Sequence, residues 1–216
     1  MNLKKINKKE ILSFDWDTFS LNLEKLIKFH SLNSVVPINA DRWEEIVNAT
    51  LNFMGRNPKW NQGSHSAGAD IWIEAFVISA KSGKVSNDNL IISSYRLTRF
   101  GNLEKMKEFI DGKGKNFDIY LCCAKIDNKT ERVYKVFLIG ADTISAKKTN
   151  WSKSYNKKKL HSGWEGSDNQ GILLRIVKKM SNQLWMEVPL KLCNEILEVK
   201  INNKDLGSKI EEPLKN

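Results

Sequence analysis

Residues 68–84 read Gly68-Ala-Asp70-Ile-Trp-Ile-Glu-Ala-Phe-Val-Ile-Ser79-Ala-Lys81-Ser-Gly-Lys84. An aspartate enters one short apolar run, and a Ser-x-Lys pair leaves the next after eight intervening residues. The runs are rich in Ile, Val, Phe and Trp, so they predict short strands over about 70–74 and 76–82. Side chains alternate along a strand, which puts Ser79 and Lys81 on one face and Phe76, Ile78 and Ala80 on the other. Paired as a hairpin, the strands bring Asp70 towards Ser79 and Lys81. One carboxylate with neighbouring oxygens suits Mg2+, which takes few protein ligands and keeps several waters. Such an ion polarises a phosphoryl oxygen and acidifies a bound water, while Lys81 can orient the attacking water and screen developing charge. The stretch points to hydrolysis of a nucleic-acid phosphodiester.

A second carboxylate has three candidate sources. Asp41 reads as the N-cap of a helix over about 41–54, with Trp43, Ile46, Val47, Leu51 and Met54 in one apolar stripe and Gly55 as its stop. Glu44 lies at the edge of that stripe, with Val47 and Leu51 three and seven positions on, so it faces the sheet while Glu45 faces solvent. Glu74 shares a face with Asp70 if strand geometry persists that far. Asp88 reads as a turn residue. Glu44 is the preferred source. The three histidines, His30, His65 and His161, are too widely spread to offer metal-ligand spacing. His65 lies five residues before Asp70, where it can approach a phosphate or bond to backbone.

Working outward, residues 1–39 form a helical prelude in which Phe19, Leu23, Leu26, Ile27 and His30 recur at helical spacing and Pro37 ends the segment. A polar loop occupies about 57–68. A third strand, about 89–95, follows a turn over Ser82-Gly-Lys-Val-Ser-Asn-Asp88. Asn102 caps a helix over 103–111, with Leu103, Met106, Phe109 and Ile110 on one side and Gly112 at its end. Strands at about 117–125 and 132–140 flank Asp127-Asn-Lys-Thr130, a hairpin turn. Residues 145–171 turn to Lys, Asn, Ser, Gly and Trp, a long polar segment of the functional or mobile kind. Residues 172–177 and 184–188 return to the sheet, and the chain beyond about 202 is polar and frays. The class is α/β, with a mixed central sheet flanked by helices.

Lys+Arg 35 against Asp+Glu 25 leaves a net charge of +10, which favours a polyanionic partner. Cys122, Cys123 and Cys193 form no C-x-x-C pair, which argues against a zinc cluster or a disulfide framework and for a reducing compartment. The basic N-terminus lacks the apolar stretch of a signal peptide, and no run approaches the roughly 18 apolar residues of a membrane span. The expected location is the cytoplasm, with no membrane partner.

The order helix-strand-strand-strand-helix-strand, with Asp70 and Ser79-Ala-Lys81 on its first two strands, resembles the core of the PD-(D/E)XK nuclease superfamily, and more narrowly type II restriction endonucleases. The resemblance covers about residues 40–126 and implies a restriction-endonuclease-like αβββαβ core. It makes Asp70 the metal-binding acid, puts Ser79 at the position of the second acid and gives Lys81 the nucleophilic water. It also implies an extra metal-binding glutamate from the preceding helix, here Glu44. Two departures stand out: Ala69 replaces the proline before the first acid, and Ser79 replaces the second acid. The second leaves the metal site one charge short unless Glu44 or a backbone carbonyl compensates.

The resemblance implies a Mg2+-dependent endonuclease that cuts double-stranded DNA at a short site. A homodimer matches a palindromic site, and a cognate DNA methyltransferase is expected in the same cell. One nuclease domain then spans 1–201, with its core at about 40–140, DNA-contact elaborations at about 141–201 and a polar tail at 202–216. Arg96 and Arg99, near the end of the third strand, can chelate guanine or clamp a phosphate. Lys153 and Lys157, interleaved with Trp151 and Tyr155, suit backbone contacts. Asn182 and Gln183 can read adenine through bidentate amides. Three other readings share these residues: a repair or recombination nuclease, a non-catalytic DNA-binding protein on a decayed nuclease scaffold, and a basic RNA-binding module. The last lacks an RNP-like aromatic strand and a G-x-x-G loop.

Overall fold

Polar caps start the three longer helices. A single turn, α1 (Lys9–Leu12), leads to α2 (Trp16–Asn33), where the Asp15 carboxylate accepts from the Thr18 N–H at 3.0 Å. The next helix, α3 (Ala40–Phe53), starts on Asn39 and not on Asp41. The Asn39 side chain accepts from the Arg42 N–H at 2.9 Å, three residues on, which leaves Asp41 in the first turn where negative charge suits the helix N-terminus. The computed structural model describes residues 3, 5–60, 68–156, 161–178 and 182–211.

Four strands follow: β1 (Lys59–Trp60), β2 (Ile71–Trp72), β3 (Val77–Ser86) and β4 (Asn89–Arg96). The first of these lies in the expected polar loop, and β2 ends two residues earlier than expected. Ser82-Gly83, read from sequence as the start of a turn, belongs instead to β3. A Cβ at residue 83 would lie 2.2 Å from the Ile91 carbonyl oxygen, so glycine is what lets β4 come this close. The reversal occurs at Asn87 and Asp88, both left-handed (φ 49° and 57°), in a two-residue hairpin turn suited to the twist of the strands.

Helix α4 (Leu103–Asp111) has the expected bounds, with the Asn102 side chain accepting from the Lys105 N–H at 3.0 Å. The hairpin of β5 (Ile119–Asp127) and β6 (Glu131–Gly140) closes where expected, its turn tied by Asn128 Oδ1 to the Thr130 and Glu131 N–H groups.

The expected polar segment at 145–171 is not a loop. It contains β7 (Asn150–Asn156) and β8 (His161–Ser167), paired antiparallel over seven residues. Trp151 and Trp164 pack on the core from this ribbon, and the backbone ladder needs no apolar residue at the remaining positions. The sheet continues with β9 (Leu173–Val177), β10 (Gln183–Pro189) and β11 (Asn194–Asn202). Regular structure extends past residue 202: Leu206 packs on the core, the Gly207 N–H donates to the Ser31 carbonyl at 2.9 Å, and α5 (Ser208–Glu211) follows.

Among the described residues, eleven strands join one mixed sheet of order β11-β6-β5-β3-β4-β10-β9-β8-β7, with β2 added to the start of β3 and β1 to β2. The β3–β5 pair is parallel and the other pairs are antiparallel. Alternation along β5 divides the interior. Ile119, Leu121 and Cys123 pack with α2 and α3 on one face, and Tyr120, Cys122 and Ala124 pack with α4 on the other. The order α3, β2, β3, β4, α4, β5 therefore encloses the central strand β3 between two helical layers.

Candidate active site

Strand β3 has two antiparallel neighbours along the same edge, and they leave a gap. β2 pairs with Val77 and Ile78, and β4 pairs with residues 83–86, so residues 79–82 have no strand partner on that side. The Asp70 carboxylate enters this fork. Its Oδ2 accepts from the Ala80 N–H at 2.8 Å, in place of a ladder carbonyl, and from Lys81 Nζ at 2.6 Å. The side chains of Asp70 and Lys81 are only 12% and 15% exposed, so water screens the pair weakly. Lys81 Nζ also donates to the Ala80 carbonyl at 3.1 Å. Among the described residues, every hydrogen bond of the Asp70 carboxylate falls on Oδ2, and Oδ1 remains available.

Ser79 stands beside Asp70, at the position expected of a second acid. It is fully buried, and its hydroxyl donates to the Gly68 carbonyl at 2.5 Å while standing 3.3 Å from Asp70 Oδ2. The side chain holds the entry to Asp70 in place. Gly68 has φ +90°, and a Cβ there would lie 2.1 Å from the Gly114 carbonyl oxygen, so the approach tolerates no side chain. The Ala69 N–H donates to Asn116 Oδ1 at 2.9 Å and pins the same segment to the loop after α4.

Glu44 reaches the fork from α3. Its carboxyl pKa is raised above the ordinary glutamate value, first by burial and then by the negative charge of Asp70, with Lys81 acting in the opposite direction. Trp60 Nε1 donates to Glu44 Oε2 at 3.4 Å, a contact from the unanticipated β1. The next residue, Glu45, is engaged by the Arg42 guanidinium one turn back and lines a different groove, with His30.

Glu44, Asp70, Lys81, Arg96, Arg99 and Gln183 line one open cleft of about 460 Å3. β4 supplies its other wall because of a bulge: Trp185 faces Ser93 and Gln183 faces Arg96, so β4 carries one extra residue between the pairs. The bulge keeps Tyr95 against Phe109 of α4 while Ser93, Ser94 and Arg96 line the cleft. Burial raises the Tyr95 phenol pKa, so its hydroxyl stays neutral. The Arg99 guanidinium lies 4.5 Å from the Phe109 ring centroid and 4.9 Å from that of Phe100, which pre-orients an exposed cation.

Other expected residues fall elsewhere. Glu74 lies beyond the end of β2, exposed, beside Trp72 and Ala75 in a separate depression, because the strand is too short to carry it back to Asp70. Asp88 sits in the β3–β4 turn, at the far end of β3. Lys153 is on β7, five strands from β3. Asn182, left-handed at φ 47°, accepts from the Leu97 N–H at 3.2 Å through its carbonyl and does not line the cleft. His65 and Lys157 lie outside the described residues.

The sequence reading missed Trp60, for which a lone tryptophan in a polar loop is the one available signal. The hydroxyl-bearing run Ser93-Ser-Tyr-Arg96-Leu-Thr98 lies at the cleft, as its place at the end of the third strand suggests, while the way its side chains divide between cleft and core depends on a bulge with no local signature.

Among the described residues, no cluster of three or more His, Cys, Asp or Glu side chains forms a metal cage, and no helix is long and apolar enough to cross a membrane. Two carboxylates at an open cleft still fit Mg2+, which completes its shell with water, and the mutual repulsion of Glu44 and Asp70 is what a divalent cation relieves. No protein-family model, curated protein or solved structure matches the chain.

Proposed function

We propose that the chain is a Mg2+-dependent endonuclease of the type II restriction kind, hydrolysing phosphodiester bonds of double-stranded DNA at a short site on a PD-(D/E)XK-like αβββαβ core. The observation that carries this reading is the fork in β3, where Asp70 and Lys81 meet at 2.6 Å in a cleft shared with Glu44 and two arginines. Asp70 Oδ1, Glu44 and the Ala80 carbonyl are the groups suited to hold the metal. Bound there, Mg2+ supplies Lewis-acid polarisation of the phosphoryl oxygen and acidification of water.

The chain's own groups do the rest. With Asp70 engaged by the metal, the Lys81 ammonium can hold the attacking water and face the charge that grows on the phosphoryl oxygens. As the water oxygen bonds to phosphorus it gives up a proton to solvent, one ester bond breaks and the leaving oxygen takes a proton from solvent. Arg96 and Arg99 hold the flanking backbone, and the low exposure of Asp70 and Lys81 strengthens the interactions of that pair. Ser79 acts by positioning Asp70. The same reading carries a homodimer on a palindromic site and a cognate DNA methyltransferase.

The experiment is incubation with unmethylated plasmid, with Mg2+ and with chelator. Discrete Mg2+-dependent fragments are the expected result. Cutting of branched substrates alone would point to a repair nuclease, and gel retardation without cutting to a DNA-binding scaffold, the reading favoured by serine at position 79.

Glu44→Ala lowers cleavage by about 10- to 100-fold, whereas Glu45→Ala changes it by less than about 2-fold. Equal losses in a single-turnover assay would remove Glu44 from the site. Metal binding needs the charged carboxylate, and the pKa of Glu44 is raised, so Mg2+ affinity in calorimetry falls as pH drops through that elevated value. Glu44→Gln weakens affinity and flattens this limb.

A further inference from the structure

Most of the chain's excess positive charge falls in one stretch of the sequence: residues 145–182 carry nine Lys or Arg against two Asp or Glu, most of the net +10. Of these, Lys147, Lys148, Lys153, Arg175 and Lys178 lie among the described residues, and strand polarity places Lys153 and Lys178 relative to the site. β4 ends at Arg96, β10 begins opposite it at Gln183, and β9 ends opposite that at Val177. β8 begins and β7 ends at the same end of the sheet, and their pairing continues two residues past the last β9 partner.

The register also fixes the face. Gly83 pairs with Ile92, and the ladder continues from Ile92 through Met186, Leu174 and Gly166 to Trp151, a row that does not cross the bulge. Lys81 lies two residues before Gly83 and Lys153 two residues after Trp151, both towards the same end of the sheet. Lys81 and Lys153 therefore share a face and a level of the sheet. Lys178, just beyond β9, holds its ammonium 4.8 Å from the Trp164 ring centroid, and both lysines are exposed. The opposite face carries Glu165 and Arg175, whose charges pair at 3.3 Å, so among the described residues the free lysines lie on the Lys153 side.

We propose that duplex DNA runs along this end of the sheet from the cleft to the β7–β8 ribbon, and that the ribbon enters the major groove with its Lys153 and Lys178 side. This rests on the nuclease reading and adds where the duplex lies and which element reads it. Five inter-strand steps separate β3 from β7, about 24 Å at 4.8 Å each, or about seven base pairs at 3.4 Å. The major groove, about 12 Å wide, admits a two-stranded ribbon, and the minor groove, about 6 Å wide, does not. β7 is an edge strand, but the lysine at its centre and its Asn, Ser and Tyr neighbours disfavour pairing with a second copy.

The test uses the full chain carrying Lys81→Ala, bound to a fluorescent duplex without metal. Methyl green, a major-groove ligand, displaces the protein, and distamycin, a minor-groove ligand, does not. Adding Lys153→Glu or Lys178→Glu weakens binding about 10-fold and lowers the salt slope by about one. Lys153→Ala and Lys178→Ala carry the same prediction at a smaller size if a charge reversal fails to fold, as judged by the thermal midpoint. Parental affinity in all these variants, or displacement by distamycin alone, overturns the ribbon assignment while leaving the nuclease reading intact. So does a Lys153→Glu chain that loses a dimer in light scattering while its groove competition is unchanged. No duplex affinity at any salt, in the folded Lys81→Ala parent and in the metal-free wild type alike, overturns both.

Discussion

Asp70→Ala and Lys81→Ala each lower Mg2+-dependent plasmid cleavage by about 1,000-fold or more, while metal-free duplex binding stays within about 3-fold of wild type. Asp70 is the acid at the floor of the fork and Lys81 is the cation bonded to it at 2.6 Å, whereas Glu44 reaches the cleft from α3 and Arg96 and Arg99 from the β4 side. Asp70→Ala also strips the Ala80 N–H of its acceptor, which costs about 1–3 kcal/mol of stability. Asp70→Asn keeps an acceptor there and separates the two effects: it folds like wild type and remains inactive. Lys81→Ala leaves a nearly buried carboxylate uncompensated, which lowers stability, so Lys81→Met serves as the packing control and activity is compared per folded protein. Wild-type cleavage by either alanine variant, measured in single turnover, removes the pair from the chemistry.

Trp43→Ala destabilises the fold by about 3–5 kcal/mol. Trp43 is fully buried under β5, and its Nε1 donates to the Leu121 carbonyl at 2.9 Å, in the centre of the contact between α3 and the sheet. The substitution opens a cavity and loses that bond. Trp43→Phe keeps most of the volume and loses the bond, for about 1–2 kcal/mol. The urea midpoint with its slope reports both, and a shift below about 1 kcal/mol for Trp43→Ala would mean that α3 is not docked through this side chain. The site depends on that docking, because the same turn of α3 carries Glu44. Cleavage under folding conditions should therefore fall further in Trp43→Ala than the loss of folded protein accounts for.

Local signals in this chain survived folding well where the partners lie within one turn. Asn102 and Gly112 bound α4 where the apolar spacing of Met106, Phe109 and Ile110 placed it, and Asn128 closed the β5–β6 hairpin. The shift of the α3 cap from Asp41 to Asn39 is of the same local kind, since two competent cap residues stood two positions apart and backbone geometry selected between them. Strands fared less well. Ser82-Gly83 looked like a turn because glycine breaks isolated strands, yet here it allows β4 to approach. The segment from Asn150 to Ser167 looked like a loop because its Lys, Asn, Ser and Gly residues have low strand propensity. In the sheet, neighbouring backbones outweigh that preference.

For the candidate site, the sequence alone determined the chemistry on offer: an acid, a lysine two residues after a small polar residue, and a glutamate on the edge of an apolar helix stripe. Alternation and helical spacing are near-neighbour geometry, so they can be read from the order of residues. Only the tertiary structure decided that β2 and β4 part along β3, that a bulge turns Arg96 towards the opening, that Ser79 is enclosed while Glu44 is not, and that Glu74 stays away. Each of these rests on hydrogen bonds and packing between segments tens of residues apart, whose register is set by how the whole sheet and its two helical layers close.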